Sequence, residues 1–142
     1  MKPRILPLGD SAILVRLGDE IDLGVNQRVH ALANLIEFSH VDGVIETVPA
    51  YATLLVQYDP FVLSFAQIRD VLRVKIAQAQ DVASRKPRQV QVPLRYGGEL
   101  GPDLDSVARH LHLQVEEVIR LHSERTYTVY MMGFTPGFPY MG

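Results

Sequence analysis

The sequence predicts an α+β fold, and three observations carry that expectation. The short runs Ala12 to Leu17, Val44 to Val48 and Thr53 to Tyr58 alternate in the period of a strand. The longer segments Leu23 to about Phe38 and Phe65 to Ala79 instead carry apolar residues at spacings of three and four, as an amphipathic helix does. After a polar stretch from Gln80 to Arg88, a second region ends in the aromatic run Tyr127 to Gly142, YTVYMMGFTPGFPYMG.

Size and composition narrow the function classes. A chain of 142 residues has room for one medium domain, or a small domain with part of another, and 47% hydrophobic residues supply a packed core. The 16 acidic and 14 basic residues are mixed along the chain and leave a net charge of −2, so no positive field is available to attract a phosphate backbone. This argues against a nucleic-acid partner. With no cysteine there is no disulfide, thiolate metal site or cysteine nucleophile, which fits a reducing compartment. MKPRILPLGD lacks the apolar run of a signal peptide, and nowhere do about 18 apolar residues follow one another. A cytoplasmic protein without a membrane span is the expectation.

In chain order, Ile5 to Leu8 reads as a short strand, Gly9-Asp10-Ser11 as a turn, and Ile13, Val15 and Leu17 as one face of the next strand. Asp22 caps the first helix, whose stripe is Val25, Val29, Leu32 and Ile36. Two strands joined through Pro49-Ala50-Tyr51 form an antiparallel hairpin. Ser64 and Gln67 form a capping box for the second helix, with Phe65, Ile68, Leu72, Ile76 and Ala79 inward. The resulting unit is two-layered, βαββα, over residues 1–84, with a linker at 85–88 and a second domain over 89–142. Val90, Val92, Leu94 and Tyr96 alternate as a further strand, and Val90 to Leu94 would complete a ferredoxin-like βαββαβ sheet; Pro93 argues for an edge or a strand end.

Beyond Gly97-Gly98, Asp103 is placed to cap a short helix with Leu104, Val107, Ala108 and Leu111, and a second one carries Val115, Val118, Ile119 and His122. His30 and His40 are isolated and read as exposed or structural, and the pair His110 and His112 would face different ways on a helix. HExxH, GxxxxGK[ST] and GxGxxG are all absent. His122 ends its helix, where the dipole favours a cation, and is a candidate for chemistry as well as for capping the last carbonyls; Asp103 is the accompanying carboxylate candidate.

Tyr127 to Met132 alternates as a buried strand, and Pro136 and Pro139 then forbid its continuation. Pro136-Gly137 suits the centre of a type II turn, which would hold Phe134, Phe138 and Tyr140 on a stiff loop. Such rings either close a corner of the core or grip a ligand or partner. Should the sheet beyond it be incomplete, Tyr127 to Met132 keeps an unpaired edge through which copies of the chain would associate.

Four stretches, PLGDSAILVRLG, ETVPAYATLLVQYDP, VPLRYGGELGPDLDSVA and LHSERTYTVYMMGFTPGFPYMG, together resemble the family of the 5-oxoprolinase B-type subunit, or KipI family, also called allophanate hydrolase subunit one. The resemblance covers the whole chain, and GFxPGFPYxG is its most specific part. It implies an N-terminal α+β domain followed by a cyclophilin-like β-barrel, here incomplete because family members continue past this motif. It also implies work with a homologous C-type subunit, and with one of the A type, in a complex that hydrolyses 5-oxoproline to glutamate using ATP with Mg, the isolated chain being inactive. KipI-like inhibition of a sporulation histidine kinase, or a role related to allophanate hydrolase or urea amidolyase, are alternatives within the same resemblance. Carried over by motif, the substrate or partner surface comprises Tyr96, Gly97, Gly98, Phe134, Pro136, Gly137, Phe138, Pro139 and Tyr140, with Gly133, Asp103 and His122 as further motif positions. Leu94 departs from the family, which often has a small or thiol residue there.

Overall fold

A computed structural model describes residues 2–79 and 88–142. Six strands and four helices follow the order β1 (Arg4–Leu8), β2 (Ala12–Arg16), α1 (Leu23–Phe38), β3 (Val44–Pro49), β4 (Thr53–Tyr58), α2 (Phe65–Ala79), α3 (Leu104–Leu111), α4 (Val115–Ser123), β5 (Val129–Met132) and β6 (Pro139–Met141). They fall into two compact units, one made of Met1–Arg85 with Val129–Gly142 and the other of Lys86–Thr128. The aromatic hairpin β5–β6 therefore groups with the N-terminal sheet. Of the expected linker at 85–88, only Arg88 is among the described residues.

In the first unit a four-stranded antiparallel sheet has the order β1-β2-β4-β3. Register places Ile13 beside Val56 and Val15 beside Leu54, so these four side chains share a face, and all are fully buried. Both helices cover that face, α1 through Val29, Leu32, Ala33 and Ile36 and α2 through Ile68, Leu72, Ile76 and Ala79, in one continuous core. The caps read from sequence are present: Val25 N–H donates to Asp22 Oδ1 at 2.8 Å, and Ser64 N–H to Gln67 Oε1 at 2.8 Å. On the opposite face Leu6, Leu14, Leu55 and Val48 lie in register across all four strands. That face carries an apolar row of partly exposed residues.

Two expectations need correction here. The edge beside β2, where Val90 to Leu94 would have completed the sheet, is occupied by β1, which pairs with β2 along its full length. Residues 88–96 form no strand, and Val90, Val92 and Leu94 are exposed. Local alternation was present there, but the β2 edge it would have paired with is taken by β1, and Pro93 removes a donor. The strand expected over Tyr127 to Met132 is shorter, Val129–Met132, and only half-buried.

The second unit holds α3 and α4, packed on each other. Helix α3 ends on His112 in the left-handed conformation (φ 55°), and Leu113 N–H returns to Ala108 O at 3.0 Å. This cap fixes the backbone of the second histidine of the HxH pair.

Candidate functional site

The sequence-derived site residues fall into two groups, one in each unit. In the first unit, Phe138 N–H donates to Thr135 O at 3.1 Å and Gly137 has φ 76°, the geometry of the expected type II turn around Pro136-Gly137. Gly133 N–H closes the loop onto Phe138 O at 2.8 Å. A side chain at Gly133 would collide with the Tyr140 ring, so that glycine is required by close approach. Held in this way, Phe134 projects almost completely into solvent (93% exposed) and Phe138 is 58% exposed. These two rings therefore stand outside the core of the described residues.

Behind the loop the rings form a chain of contacts. Phe138 meets Tyr140 edge-on at 5.9 Å, Tyr140 meets Tyr51 edge-on at 6.2 Å, and Tyr51 lies 5.4 Å from Tyr130. Tyr51 also lines a cleft of about 330 Å³ with Leu6, Leu14, Arg16 and Ile21 on the outer side of the sheet. The aromatic surface and this cleft are thus continuous through Tyr51.

A polar node fixes the hairpin to α1. The side-chain amide of Asn26, only 3% exposed, donates to the carbonyls of Ala50, Tyr51 and Tyr130 at 3.1, 3.2 and 3.2 Å. Two N–H groups serve three acceptors, so at least one hydrogen is shared. His30 Nε2 lies 2.9 Å from the same Tyr130 oxygen, which can only accept, so this nitrogen carries the proton. Strand β5 thus has β6 as its strand partner, and its Tyr130 carbonyl also accepts from two side chains of α1. Asn26, His30 and Tyr51 were not singled out as site residues from sequence. The available signal was Asn26 itself, a polar residue one turn before Val29 on the inward stripe.

In the second unit Tyr96 Oη lies 2.6 Å from His122 Nδ1, and Tyr127 donates its hydroxyl hydrogen to His122 O at 3.2 Å. His122 stands in the last turn of α4 as expected. Its ring, however, pairs with Tyr96 instead of capping carbonyls. Gly97 and Gly98 follow Tyr96 with φ 72° and 60°, and Gly101 N–H folds back onto Gly97 O at 3.2 Å. Asp103 occupies the N-cap position of α3, yet its carboxylate makes no capping bond; its main-chain oxygen accepts from Ser106 Oγ and Val107 N–H. Among the described residues no three His, Asp or Glu side chains converge on a site that could hold a metal ion. Among them, too, no helix is long and apolar enough to cross a membrane.

Comparison with known proteins agrees with this architecture. Over 149 residues the chain is 40% identical to the B subunit of 5-oxoprolinase from Bacillus subtilis, covering 98% of this chain and 62% of that protein. The crystal structure of a conserved uncharacterized protein from Pyrococcus horikoshii is 43% identical, with a TM-score of 0.53, over 98% of this chain and 63% of the other. The crystal structure of TTHA0988 is 35% identical with a TM-score of 0.74, over 92% of this chain and 24% of the other. The chain thus spans less than two thirds of the length of the curated relatives it matches, and in TTHA0988 the matching region is about a quarter of one long polypeptide. A sequence profile described as carboxyltransferase domain, subdomain C and D, matches residues 3–142, and the chain belongs to that family.

Proposed function

We propose that this protein works as the B-type component of an ATP-dependent 5-oxoprolinase, opening 5-oxoproline to glutamate together with components of the A and C types. The observation that carries this reading is the 40% identity with a 5-oxoprolinase B subunit, sustained over 98% of the chain. Opening a lactam under mild conditions needs an activated amide, and ATP coupling supplies the activation in the assembled complex. In this reading Mg and nucleotide are held by the assembly, and the chain alone is inactive. Its own contribution is two separate sets of residues: Phe134, Pro136, Gly137, Phe138, Pro139 and Tyr140 in one unit, and Tyr96, Gly97, Gly98, Asp103 and His122 in the other. The rigid presentation of Phe134 and Phe138 supports a partner-facing role for the first group.

For the fold, the sheet order supports a permuted ferredoxin-like layer, with β1 in the place of the last strand. Residues beyond the linker are read as the beginning of a cyclophilin-like domain, and the location as cytoplasmic. The functional reading is tested by glutamate release from 5-oxoproline and ATP, with the protein mixed with candidate A-type and C-type partners and each omitted in turn. Release only when all are present supports it. Release that is undiminished without this protein overturns it.

A further inference from the structure

The environment of His122 says which of its nitrogens is free. The 2.6 Å separation between Tyr96 Oη and His122 Nδ1 is short for an N–H donor and ordinary for an O–H donor. A phenol is also a better donor, and a neutral imidazole nitrogen a better acceptor, than the reverse pairing allows. With the Tyr96 hydroxyl as the donor, Nδ1 accepts and the imidazole proton resides on Nε2. Two rings fix the plane of that imidazole: Tyr96 meets it edge-on at 5.7 Å and 89°, and Tyr127 lies at 5.9 Å. Tyr127 further ties the His122 backbone through its hydroxyl.

The turn after Tyr96 is equally constrained. A Cβ at Gly101 would come within 2.8 Å of Gly97 N, so the fold-back that supports Tyr96 tolerates no side chain there. The neighbouring Arg120 is committed to Glu117 and Glu124. His122 is thus left, at the end of α4, as an exposed imidazole whose orientation is set by Tyr96 and Tyr127.

We propose that Tyr96 is a positioning residue that holds His122 with Nε2–H outward, and that this N–H binds an oxyanion of the substrate, a carboxylate or phosphoryl oxygen. The proposal deepens the oxoprolinase reading and rests on it for the choice of ligand. Binding of the oxyanion needs no proton transfer; the Nε2 proton stays on nitrogen and is shared in a charge-assisted hydrogen bond.

The test is nitrogen NMR of the histidine ring on the intact protein at pH 8, for wild type, Tyr96→Phe and His122→Gln, titrated separately with 5-oxoproline and inorganic phosphate. The expected result is a single Nε2–H tautomer in wild type and a shift of its Nε2 signal on titration. Tyr96→Phe should mix the tautomers and weaken binding at least fivefold, and His122→Gln should weaken it as far or further. A response to 5-oxoproline alone assigns the carboxylate, and a response to phosphate assigns the phosphoryl oxygen. An Nδ1–H tautomer in wild type, or no response to either probe, overturns the proposal. Because the readout is the ring of this chain, that failure is separate from failure of the glutamate-release assay.

Discussion

The buried side-chain amide of Asn26 donates to the main-chain oxygen of Tyr130, 104 residues further along the chain, at 3.2 Å. Through this bond and its companions to Ala50 and Tyr51, one polar group joins α1, the β3–β4 turn and the aromatic hairpin. Replacing Asn26 by Ala removes the donors and leaves carbonyls without partners. The expected cost is about 2 kcal/mol, since an unsatisfied buried polar group forfeits its solvation. Urea denaturation measures it, and amide exchange at Val129 to Met132 should accelerate more than exchange in β2 or β4. Equal acceleration everywhere would mean that Asn26 supports the sheet and not the hairpin.

Leu72 on α2 is fully buried among residues from both helices and the sheet. Leu72→Ala is expected to lose about 3 kcal/mol through lost burial and the cavity left behind. For a unit of this size that is a large share of the total stability, and calorimetry should show a clear fall in its melting temperature. A loss below about 1 kcal/mol would show that the two layers are not packed as described.

Gly137 accepts φ 76° with open space around its Cα, so the conformation and not crowding requires it. Gly137→Ala is expected to cost about 1 kcal/mol, the strain of a left-handed alanine. Its NMR shift changes should be confined to the loop and to Tyr140. Changes reaching Ile13 or Leu54 would contradict a locally held turn.

His112 is a non-glycine residue in a glycine conformation, at the C-terminal cap of α3. His112→Gly should therefore be neutral or stabilising by up to about 0.5 kcal/mol, because the relief of strain is partly offset by a freer unfolded chain. A clear destabilisation would mean that the imidazole has a partner of its own in solution.

How much of this was legible in the sequence depended on whether the cause was local. Asp22, the Ser64 and Gln67 box, the two helical stripes and the Pro136-Gly137 turn are decided within a few residues, and each stands where the pattern puts it. Val90 to Leu94 failed because pairing is a long-range choice: the alternation was there, but β1 had taken the edge. Tyr127 to Met132 shortened for a related reason, as one strand partner supports only part of the run. Of the site, the stiff ring-bearing loop and the candidacy of His122 could be read directly, but whether the rings face core or solvent could not. The Asn26 and His30 node joins positions about a hundred residues apart, and the Tyr96 to His122 pair joins two segments on either side of α3, so neither has a spacing that a single sequence displays.

Phe134 and Phe138 contribute little to the folded core while standing on the surface assigned to partners. The double variant Phe134→Ala, Phe138→Ala should change stability by less than about 0.5 kcal/mol, as surface substitutions usually do. Its effect belongs in the assembly, so the decisive measurement is ATP-dependent glutamate release from 5-oxoproline by this protein with A-type and C-type partners, wild type against the double variant. The account expects release that requires this protein and falls at least tenfold in the variant. Full activity of the variant, or full activity with the protein left out, would contradict it.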